Sequence, residues 1–421
     1  MMITKQNTYS LLIFLTLVSF GFFGSLSHIF CFALIILGSG IYIRSDKKNT
    51  IDGKAKTLFL ALSGCFFLFF IGSVFRNNFG AILHWLSPML PIPFIGLLII
   101  LHDSANFKLK SKQVSHFSQI SVIFSFFIYL LISLLPDPSM YYYKFHGDRL
   151  MLFSGNPIPF SFAMLGVSLF CLADWRNSGT KSKLTAFSCF LLGAYFSGIL
   201  SGTRATLLSI IMITPIIIYY LSNHKVFTLL TTSVLILIGL LLLYLGTINN
   251  YENELFNYIK NGLVTLAFKE NIESSVWQRL EMWTASLRAI SEAPLYGYGV
   301  TERFNALKPF LHGSVPFYSH PHNDIFASII SIGFIGGLAA VASLMSCFIA
   351  SLLTPNWSFE KVYISSILSI SVIVISSVST VFFNDICAAW LAFSTYLIWA
   401  TDFKGTDVNL KKEKPSTFFK K

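Results

Sequence analysis

The chain has 421 residues, of which 54% are hydrophobic and only 12% are charged. Soluble domains carry about twice that charged fraction. This composition therefore excludes an ordinary soluble protein, whose core could not absorb so much apolar surface. The formal net charge of +11 would also suit a nucleic-acid-binding protein. The Lys and Arg residues, however, lie in short loops and in the C-terminal tail, where membrane topology alone explains them. The composition thus predicts a polytopic integral membrane protein.

The beginning of the chain is short and weakly charged, with only Lys5 before the first apolar run. No small-residue cleavage site follows that run, which favours a retained helix over a cleaved signal peptide. The cysteines all fall inside apolar runs without metal-ligand spacing, so we interpret them as small core residues. They are Cys31, Cys65, Cys171, Cys189, Cys347 and Cys387.

Apolar runs long enough to cross a membrane recur along the chain, since a spanning helix needs about 20 mostly apolar residues. The candidate spans are residues 10–24, 27–43, 57–75, 80–101, 117–135, 158–173, 184–200, 205–222, 226–246, 325–352, 362–382 and 386–401. The predicted fold class is an all-α polytopic membrane protein with about 12 transmembrane helices.

A large, partly helical loop separates predicted helices 9 and 10. The predicted parts of the chain are helices 1–9 with short loops in 1–246, the loop 247–324, helices 10–12 in 325–401, and a basic cytoplasmic tail in 402–421.

The distribution of positive charge supports this topology with the N-terminus inside. Together with Lys5, the predicted inner segments hold 20 of the 30 Lys and Arg residues. The outer segments hold the other 10, although they include the two longest loops. Short loops rich in Lys and Arg stay on the cytoplasmic side. The predicted inner segments are Arg44–Lys56, His102–His116, Asp174–Lys183, Ser222–Lys225, Leu353–Lys361 and the tail from Asp402.

The outer loop contains a predicted helix from about Val276 to Ile290, which begins after two serines and ends before Pro294. Its apolar residues recur at helical spacing, which predicts one buried stripe. The stripe consists of Val276, Leu280, Trp283, Leu287 and Ile290. Glycines after the helix, including Gly297 and Gly299, predict turns.

Arginines on the predicted outer side indicate an anionic ligand. Arg204 precedes the eighth span, and Arg279 and Arg288 lie on the loop helix. An arginine at a membrane boundary is costly unless it is paired or hydrated. The plainer alternatives are a snorkelling anchor for Arg204 and a solvated helix face for the other two. Guanidinium groups bind phosphate oxygens in a bidentate fork and keep their charge.

Two histidines and a carboxylate lie just before the tenth span, in the segment His320–Asp324. A metal site is one interpretation, but Pro321 prevents simple helical spacing and zinc usually requires three or four ligands. A structural histidine pair is a second interpretation. The third is a general base oriented by Asn323 or Asp324, because the pKa of histidine lies near neutral pH.

Several motifs of other enzyme classes are absent from the sequence. It contains no P-loop and no GxGxxG, and the predicted outer side has no Asp-x-Asp pair. The sequence therefore offers no obvious ATP site, and a metal-dependent sugar transferase is disfavoured.

The order of these features resembles the O-antigen ligase and polymerase superfamily of bacterial inner membranes. The resemblance is best over residues 150–340, whereas the first 130 residues match only in hydrophobicity. The motifs are Ser201–Ala205 (SGTRA), Arg279-x-x-x-Trp283, Pro294–Gly299 (PLYGYG), His320–Asp324 (HPHND) and Ile332–Gly337 (IGFIGG). The segment from Asp148 to Pro157 also resembles the outer loop of the family.

The resemblance implies glycosyl transfer at the periplasmic face, without a metal ion, nucleotide or other cofactor. The donor would be O-antigen carried on undecaprenyl diphosphate, and the acceptor a sugar hydroxyl of lipid A–core. The catalytic arginines of the family fall on Arg204 and Arg279, and its histidine falls on His322. The family often has Glu after the Asn, where this chain has Asp324.

We further predict that five outer residues contact the substrates. They are Arg149, Arg288, His320, Asn323 and Asp324. The predicted location is the inner membrane of a Gram-negative bacterium, with the active site facing the periplasm.

Two other functions remain open from the sequence. An O-antigen polymerase, which joins lipid-linked repeat units, would use a similar site with a different acceptor. A polytopic transporter or lipid flippase is the alternative from another class. Such proteins usually carry charges inside their spans and show repeats between their halves. The spans here are nearly free of charge, so the sequence favours the ligase.

Overall fold

The computed structural model describes residues 5–22, 24–43, 52–75, 86–105, 108–134, 145–146, 149–152, 156–222, 274–311, 321–354 and 357–403. Helices dominate these residues. The α-helices are α1 (Lys5–Phe22), α2 (Gly24–Ile43), α3 (Gly53–Phe75), α4 (Pro91–Ala105), α5 (Ser111–Leu134), α6 (Pro157–Phe170), α7 (Thr180–Tyr195), α8 (Arg204–Leu221), α9 (Ser274–Glu292), α10 (Asp324–Ile332), α11 (Phe334–Leu344), α12 (Ser346–Leu353), α13 (Phe359–Val378) and α14 (Asp385–Ala400).

Shorter elements connect or extend these helices. Two 3₁₀ turns cover Ser87–Met89 and Lys308–Phe310, and a π-helical turn over Phe196–Leu200 continues α7. Strand β1 (Leu109–Lys110) pairs in parallel with β4 (Thr401–Asp402). Strand β2 (Phe145–His146) pairs antiparallel with β3 (Arg149–Leu150).

The fold is that of an all-α membrane protein. Every predicted span except 226–246, which lies outside the described residues, overlaps a helix. Among the described helices, 5 are long and apolar enough to cross a membrane, or 6 if the bent pair α11–α12 is one span. Helices α4, α6 and α14 are shorter, with 15, 14 and 16 residues, so the number of about twelve spans stays a prediction.

Helix α14 lies at the centre of the bundle, where each side chain from Ile386 to Ala400 is buried. It packs against α2, α4, α6 and α12. Its Trp390 contacts the Phe20 ring edge-on, with the ring centroids 5.0 Å apart. A Cβ on Gly166 of α6 would lie 2.2 Å from Nε1 of Trp390, so only glycine allows this close approach. The cysteines are all buried thiols, as predicted.

Helices α8 and α13 pack against each other along their lengths and run antiparallel. The Tyr363 hydroxyl, near the beginning of α13, donates to the Ile216 carbonyl near the end of α8. The Tyr363 ring also stacks on Tyr220, with centroids 4.6 Å apart. Since these ends meet, Arg204 at the beginning of α8 and Val378 at the end of α13 lie at the other end of the bundle. We call that end the site end.

The opposite end joins segments that the sequence assigns to the inner side. The Ser111 hydroxyl donates to Asp174 Oδ1 over 2.6 Å, and Arg176 lies 3.4 Å from Glu360. Strands β1 and β4 connect the segment before α5 to the end of α14. The predicted inner segments before α5, between α6 and α7, before α13 and after α14 therefore meet at one end.

Helix α10 runs beside α3 in the same direction. The Ser328 hydroxyl lies 3.9 Å from the Cys65 sulfur. Four residues later, Ile332 Cδ1 lies 3.5 Å from the position of a Cβ on Gly72. Each residue of an α-helix rises about 1.5 Å, so Ile332 lies about 10 Å further along α3 than Ser328. The N-terminus of α10 therefore starts deep beside α3, and its C-terminus lies near the end of α3.

Helix α11 reverses this direction. Gly333, with a φ of +78°, separates it from α10, and Ser343 donates to the Leu62 carbonyl of α3 over 2.8 Å. A Cβ on Gly336 would lie 2.6 Å from the Ser328 carbonyl, so glycine allows α10 and α11 to fold closely together. The structure therefore divides the predicted single span 325–352. Helix α10 runs one way along α3, and α11 runs back and continues into α12 after a bend of 65°.

Candidate functional site

The end of α13 and the residues after it bind three side chains that are distant in the sequence. The Arg279 Nε–H donates to the Val378 carbonyl over 3.1 Å. The Asn323 side chain donates to the Ser377 carbonyl over 3.3 Å. The Asp324 carboxylate accepts from the Val381 N–H over 2.6 Å. We call residues 379–384 the α13–α14 turn. The turn and the last residues of α13 form the scaffold on which the site is assembled.

Arg279 reaches this scaffold from α9. The helix spans Ser274–Glu292, which confirms the helix predicted from its serine start and Pro294 stop. It packs against α10 through small buried residues, Ala285 and Ala289. The predicted stripe is wrong at Leu287, whose side chain is 57% exposed. The two alanines share the buried face with Met282, Ser286 and Ile290, and their small side chains let α9 approach α10 closely.

Asn323 begins α10 as its N-cap. Its backbone is extended, and its side-chain oxygen accepts from the Phe326 N–H over 3.0 Å. Such a cap satisfies one of the N–H groups that a helix N-terminus leaves open. Because the same side chain also donates to Ser377, the cap fixes the start of α10 against α13.

His322 precedes the cap and has a left-handed backbone, with a φ of +51°. Few residues other than glycine adopt this conformation, and where it persists the surrounding structure holds it. The hydrogen bonds of Asn323 and Asp324 supply that restraint directly after His322. The imidazole therefore has a defined position beside the scaffold.

Burial, and to a smaller extent the positive charge of Arg279, together lower the pKa of His322 to about 4. The unperturbed pKa of histidine is about 6.5. Since the folded pKa lies below neutral pH, the imidazole of His322 is neutral there and can accept a proton. The same effect shows that Arg279 and His322 interact electrostatically across the site.

Asp324 and Arg303 are buried groups of opposite charge that both contact the α13–α14 turn. Asp324 is fully buried, and Arg303 is only 1% exposed. The guanidinium carbon of Arg303 lies 3.8 Å from the centroid of the Phe383 ring, in the α13–α14 turn. Burial raises the pKa of Asp324, whereas the Val381 and Phe382 N–H groups and the charge of Arg303 oppose that rise. Burial also lowers the pKa of Arg303, and Asp324 opposes it.

Arg204 lies at the same end of the bundle, as the first residue of α8. The turn before it is built from Ser201, Gly202 and Thr203. Ser201 accepts from the Thr203 N–H over 3.2 Å, and Gly202 has a φ of +58°. A helix N-terminus carries partial positive charge from its N–H groups. The half-buried Arg204 adds a full positive charge there. The helix N-terminus and the guanidinium together favour the binding of an anion.

The remaining predicted contact residues are less well defined. Strand β3 lies against the π-helical turn before Arg204, which brings the backbone of Arg149 near that turn. Arg288 is exposed on α9, nine residues after Arg279, or about 13 Å along the helix. The structure thus does not bring Arg288 to the scaffold. His320 lies outside the described residues.

The PLYGYG motif holds the segment after α9 against the bend between α10 and α11. The Tyr298 N–H donates to Ile330 over 2.6 Å, and the Phe334 N–H donates to Pro294 over 2.9 Å. A Cβ on Gly333 would lie 2.1 Å from the Leu295 carbonyl. These contacts explain why two glycine-containing motifs that are distant in the sequence belong to one structural unit. They also fix α9, and therefore Arg279, relative to α10.

Sequence reasoning missed the contribution of the α13–α14 turn and of Arg303. The turn has no chemical motif of its own, because it acts mainly through backbone groups. Arg303 belongs to none of the sequence motifs, and only the structure reveals its burial and its contact with Phe383. His28 of α2, which lies 3.2 Å from Asp385 in the first turn of α14, was not linked to it either.

Comparison with known proteins matches the central part of the chain. A family model described as O-Antigen ligase matches residues 187–341, a segment that contains Arg204, Arg279 and His322. A Haemophilus influenzae protein described as uncharacterized is 24% identical over 353 residues, which cover 80% of this chain and 84% of that protein. The matched segment therefore contains the three predicted catalytic residues but not the α13–α14 turn on which the site is assembled.

Proposed function

This chain belongs to the O-antigen ligase superfamily through residues 187–341, and from that premise we propose that it transfers O-antigen from undecaprenyl diphosphate to lipid A–core. The acceptor is a sugar hydroxyl of the core, and the product is complete lipopolysaccharide. The reaction takes place at the periplasmic face of a Gram-negative inner membrane. It uses no metal ion or other cofactor.

One observation carries this proposal. The segment Ser377–Val378 binds Arg279 and Asn323, so a fixed cation and the neutral His322 stand together at the site end. A transfer from a sugar diphosphate needs both kinds of group: one to take a proton from the acceptor and one to stabilise the leaving diphosphate.

The proposed reaction begins with the acceptor hydroxyl. His322 takes its proton through the unprotonated imidazole nitrogen. The hydroxyl oxygen then forms a bond to the anomeric carbon of the donor sugar. The bond between that carbon and the diphosphate oxygen breaks, and its electron pair leaves with undecaprenyl diphosphate. Base catalysis of this kind typically contributes about 10²–10⁴ in rate.

Arg279 and Arg204 stabilise the negative charge that develops on the diphosphate. Arginine suits this task because its guanidinium stays charged and binds phosphate oxygens in a fork. One preorganised donor at a developing charge typically contributes about 10²–10³ in rate. In this proposal fixed arginine charges do the work of a divalent metal ion. Transfer in the presence of EDTA tests that part directly.

The experiment uses a strain that lacks the gene, complemented with wild type, His322→Ala or His116→Ala. His116 is an exposed histidine in a predicted inner segment, so it provides a matched control. Surface lipopolysaccharide is separated on a gel, and the lipid-linked carrier pool is measured in parallel.

Three outcomes separate the possible functions. Bare lipid A–core with long O-antigen on the carrier supports the ligase, and His322→Ala but not His116→Ala should reproduce it at normal membrane levels. Core that carries a single repeat unit would identify a polymerase. An unchanged ladder and carrier pool would contradict both and favour a transporter.

A further inference from the structure

We infer that Arg303 is a positioning residue, whose guanidinium packs on the Phe383 ring and fixes the α13–α14 turn, to which Asp324 also binds, and through that turn His322. The inference rests on the proposed function, because that function gives His322 its catalytic task. Neither the family resemblance nor the sequence motifs assign a role to Arg303.

Arg303 is buried, so its surroundings must compensate for the loss of hydration of its charge. A charged side chain that is removed from water is costly unless compensating interactions accompany it. Its guanidinium lies 3.8 Å from the centroid of Phe383, a cation–π geometry that arginine favours. The Phe383 ring in turn stacks on Phe69 of α3, with centroids 6.1 Å apart. Arg303 therefore connects the outer loop to the α13–α14 turn and to the bundle.

Asp324 binds the same turn from α10. Its Oδ2 accepts from the Val381 N–H over 2.6 Å, two residues before Phe383. Arg303 and Asp324 also act on each other, because each charge opposes the effect of burial on the pKa of the other. The α13–α14 turn is thus contacted at the Phe383 ring by the Arg303 guanidinium and at the Val381 N–H by the Asp324 carboxylate. Removal of either charge leaves the other buried without its counter-charge.

The catalytic pair depends on the position of this turn. Arg279 binds Val378, which directly precedes the turn. His322 lies two residues before Asp324 and keeps its left-handed backbone only while the following residues are held. A turn that shifts would displace both groups together, although Arg303 lies outside the reacting centre in this arrangement.

A positioning role and a purely structural role of Arg303 predict different pH dependences of the transfer rate. Among the described residues, the charge that acts on His322 is that of Arg279 from α9. Asp324 from α10 and Arg303 from the loop between the two helices act on each other. If the turn moves, His322 becomes more hydrated and less close to Arg279, so its pKa rises towards the unperturbed value of about 6.5. A loss of folded protein alone would scale the rate at every pH equally.

The experiment compares Arg303→Gln, Asp324→Asn and the double variant in purified, reconstituted protein. Each is assayed for transfer from lipid-linked donor to lipid A–core across a pH range, and the rate is expressed per folded protein. Lys308→Gln removes an exposed positive charge from the same loop and serves as the control. Arg303→Lys, which keeps the charge, is the conservative variant.

We expect Arg303→Gln to lower kcat by about 10- to 100-fold and to change KM little. It should also shift the acid limb of the pH profile to higher pH. Arg303→Lys should recover part of kcat. The double variant should be less impaired than the sum of the single variants, because it leaves no buried charge without its counter-charge. Lys308→Gln should behave as wild type.

Wild-type kcat and pH profile in Arg303→Gln would overturn the inference, and so would a loss that is uniform across pH. If that variant does not accumulate, Phe383→Leu removes the ring and leaves both charges. It should lower kcat by about threefold and shift the acid limb to higher pH. An unchanged pH profile would overturn the inference. No transfer by the wild-type protein would instead contradict the proposed function.

Discussion

The two ends of the bundle use arginine in different ways. At the opposite end, Arg176 lies 3.4 Å from the Glu360 carboxylate and its guanidinium lies 5.3 Å from the Tyr220 ring. At the site end, Arg279 donates to a backbone carbonyl, and its charge lowers the pKa of a neighbouring histidine. The first arrangement joins helices to each other. The second directs positive charge at a group that can exchange a proton. In the proposed mechanism, charge therefore serves packing at one end and chemistry at the other.

This contrast predicts where substitutions affect the rate and where they affect stability. The largest expected effect is that of His322→Ala. Without the imidazole the acceptor proton has no base, and kcat should fall by about 10²–10⁴ with normal protein levels. His116→Ala should leave the rate unchanged. Initial rates per mole of reconstituted protein measure both, and a wild-type rate in His322→Ala would assign the base to another group.

The next effect is that of Arg279→Gln, which removes a cation from the leaving diphosphate. We expect kcat to fall by about 10²–10³. The pKa of His322 should also rise, because the positive charge that lowers it is gone. In wild type the acid limb of kcat/KM should therefore lie near the pKa of about 4, and in Arg279→Gln at higher pH. A limb that stays in place would show that the two side chains do not interact.

Gly333→Ala should disturb the bend between α10 and α11 more than any surface change. The φ of Gly333 is +78°, and a Cβ there would lie 2.1 Å from the Leu295 carbonyl. A residue in such a conformation costs about 1–3 kcal/mol, and the close contact adds to that cost. Thermal unfolding in detergent should show the loss. Gly64→Ala in α3, where a Cβ meets nothing within 4 Å, should be close to neutral. Equal stability of both variants would contradict the need for glycine at the bend.

The smallest effect on the rate is expected for Arg176→Gln at the opposite end. Glu360 is buried, so this variant leaves a buried carboxylate without its cation and should lower the unfolding temperature. The rate per folded protein should stay within about twofold of wild type. Arg176→Gln/Glu360→Gln should regain part of the stability. A large loss of kcat with normal stability would remove the distinction between the two ends.

The sequence predicted the elements better than their directions. The loop helix was found because its serine start and Pro294 stop flank a helical pattern. The reversal of chain direction at Gly333 was not predicted, because residues 325–352 form one apolar run. A glycine alone does not show that a helix folds back. The stripe on α9 was misassigned at Leu287 because a hydrophobicity pattern gives little weight to the alanines that make the close contact.

The site was predicted in part for a similar reason. Arg204, Arg279 and His322 are reactive side chains in recognisable motifs, so their chemistry can be read from the sequence. The turn that holds them acts through the Val378 carbonyl and the Val381 N–H, and every residue carries such groups. The pairing of Arg303 with Asp324 depends on the direction of α10, which only the folded chain defines.

The most direct test of the central claim is transfer by the purified protein in liposomes, with lipid-linked O-antigen, lipid A–core and EDTA as the only additions. The proposed mechanism predicts that wild type produces lipopolysaccharide and undecaprenyl diphosphate in equal amounts, and that His322→Ala does not. Absence of transfer by well-folded wild type, or a requirement for a metal ion or nucleotide, would contradict it.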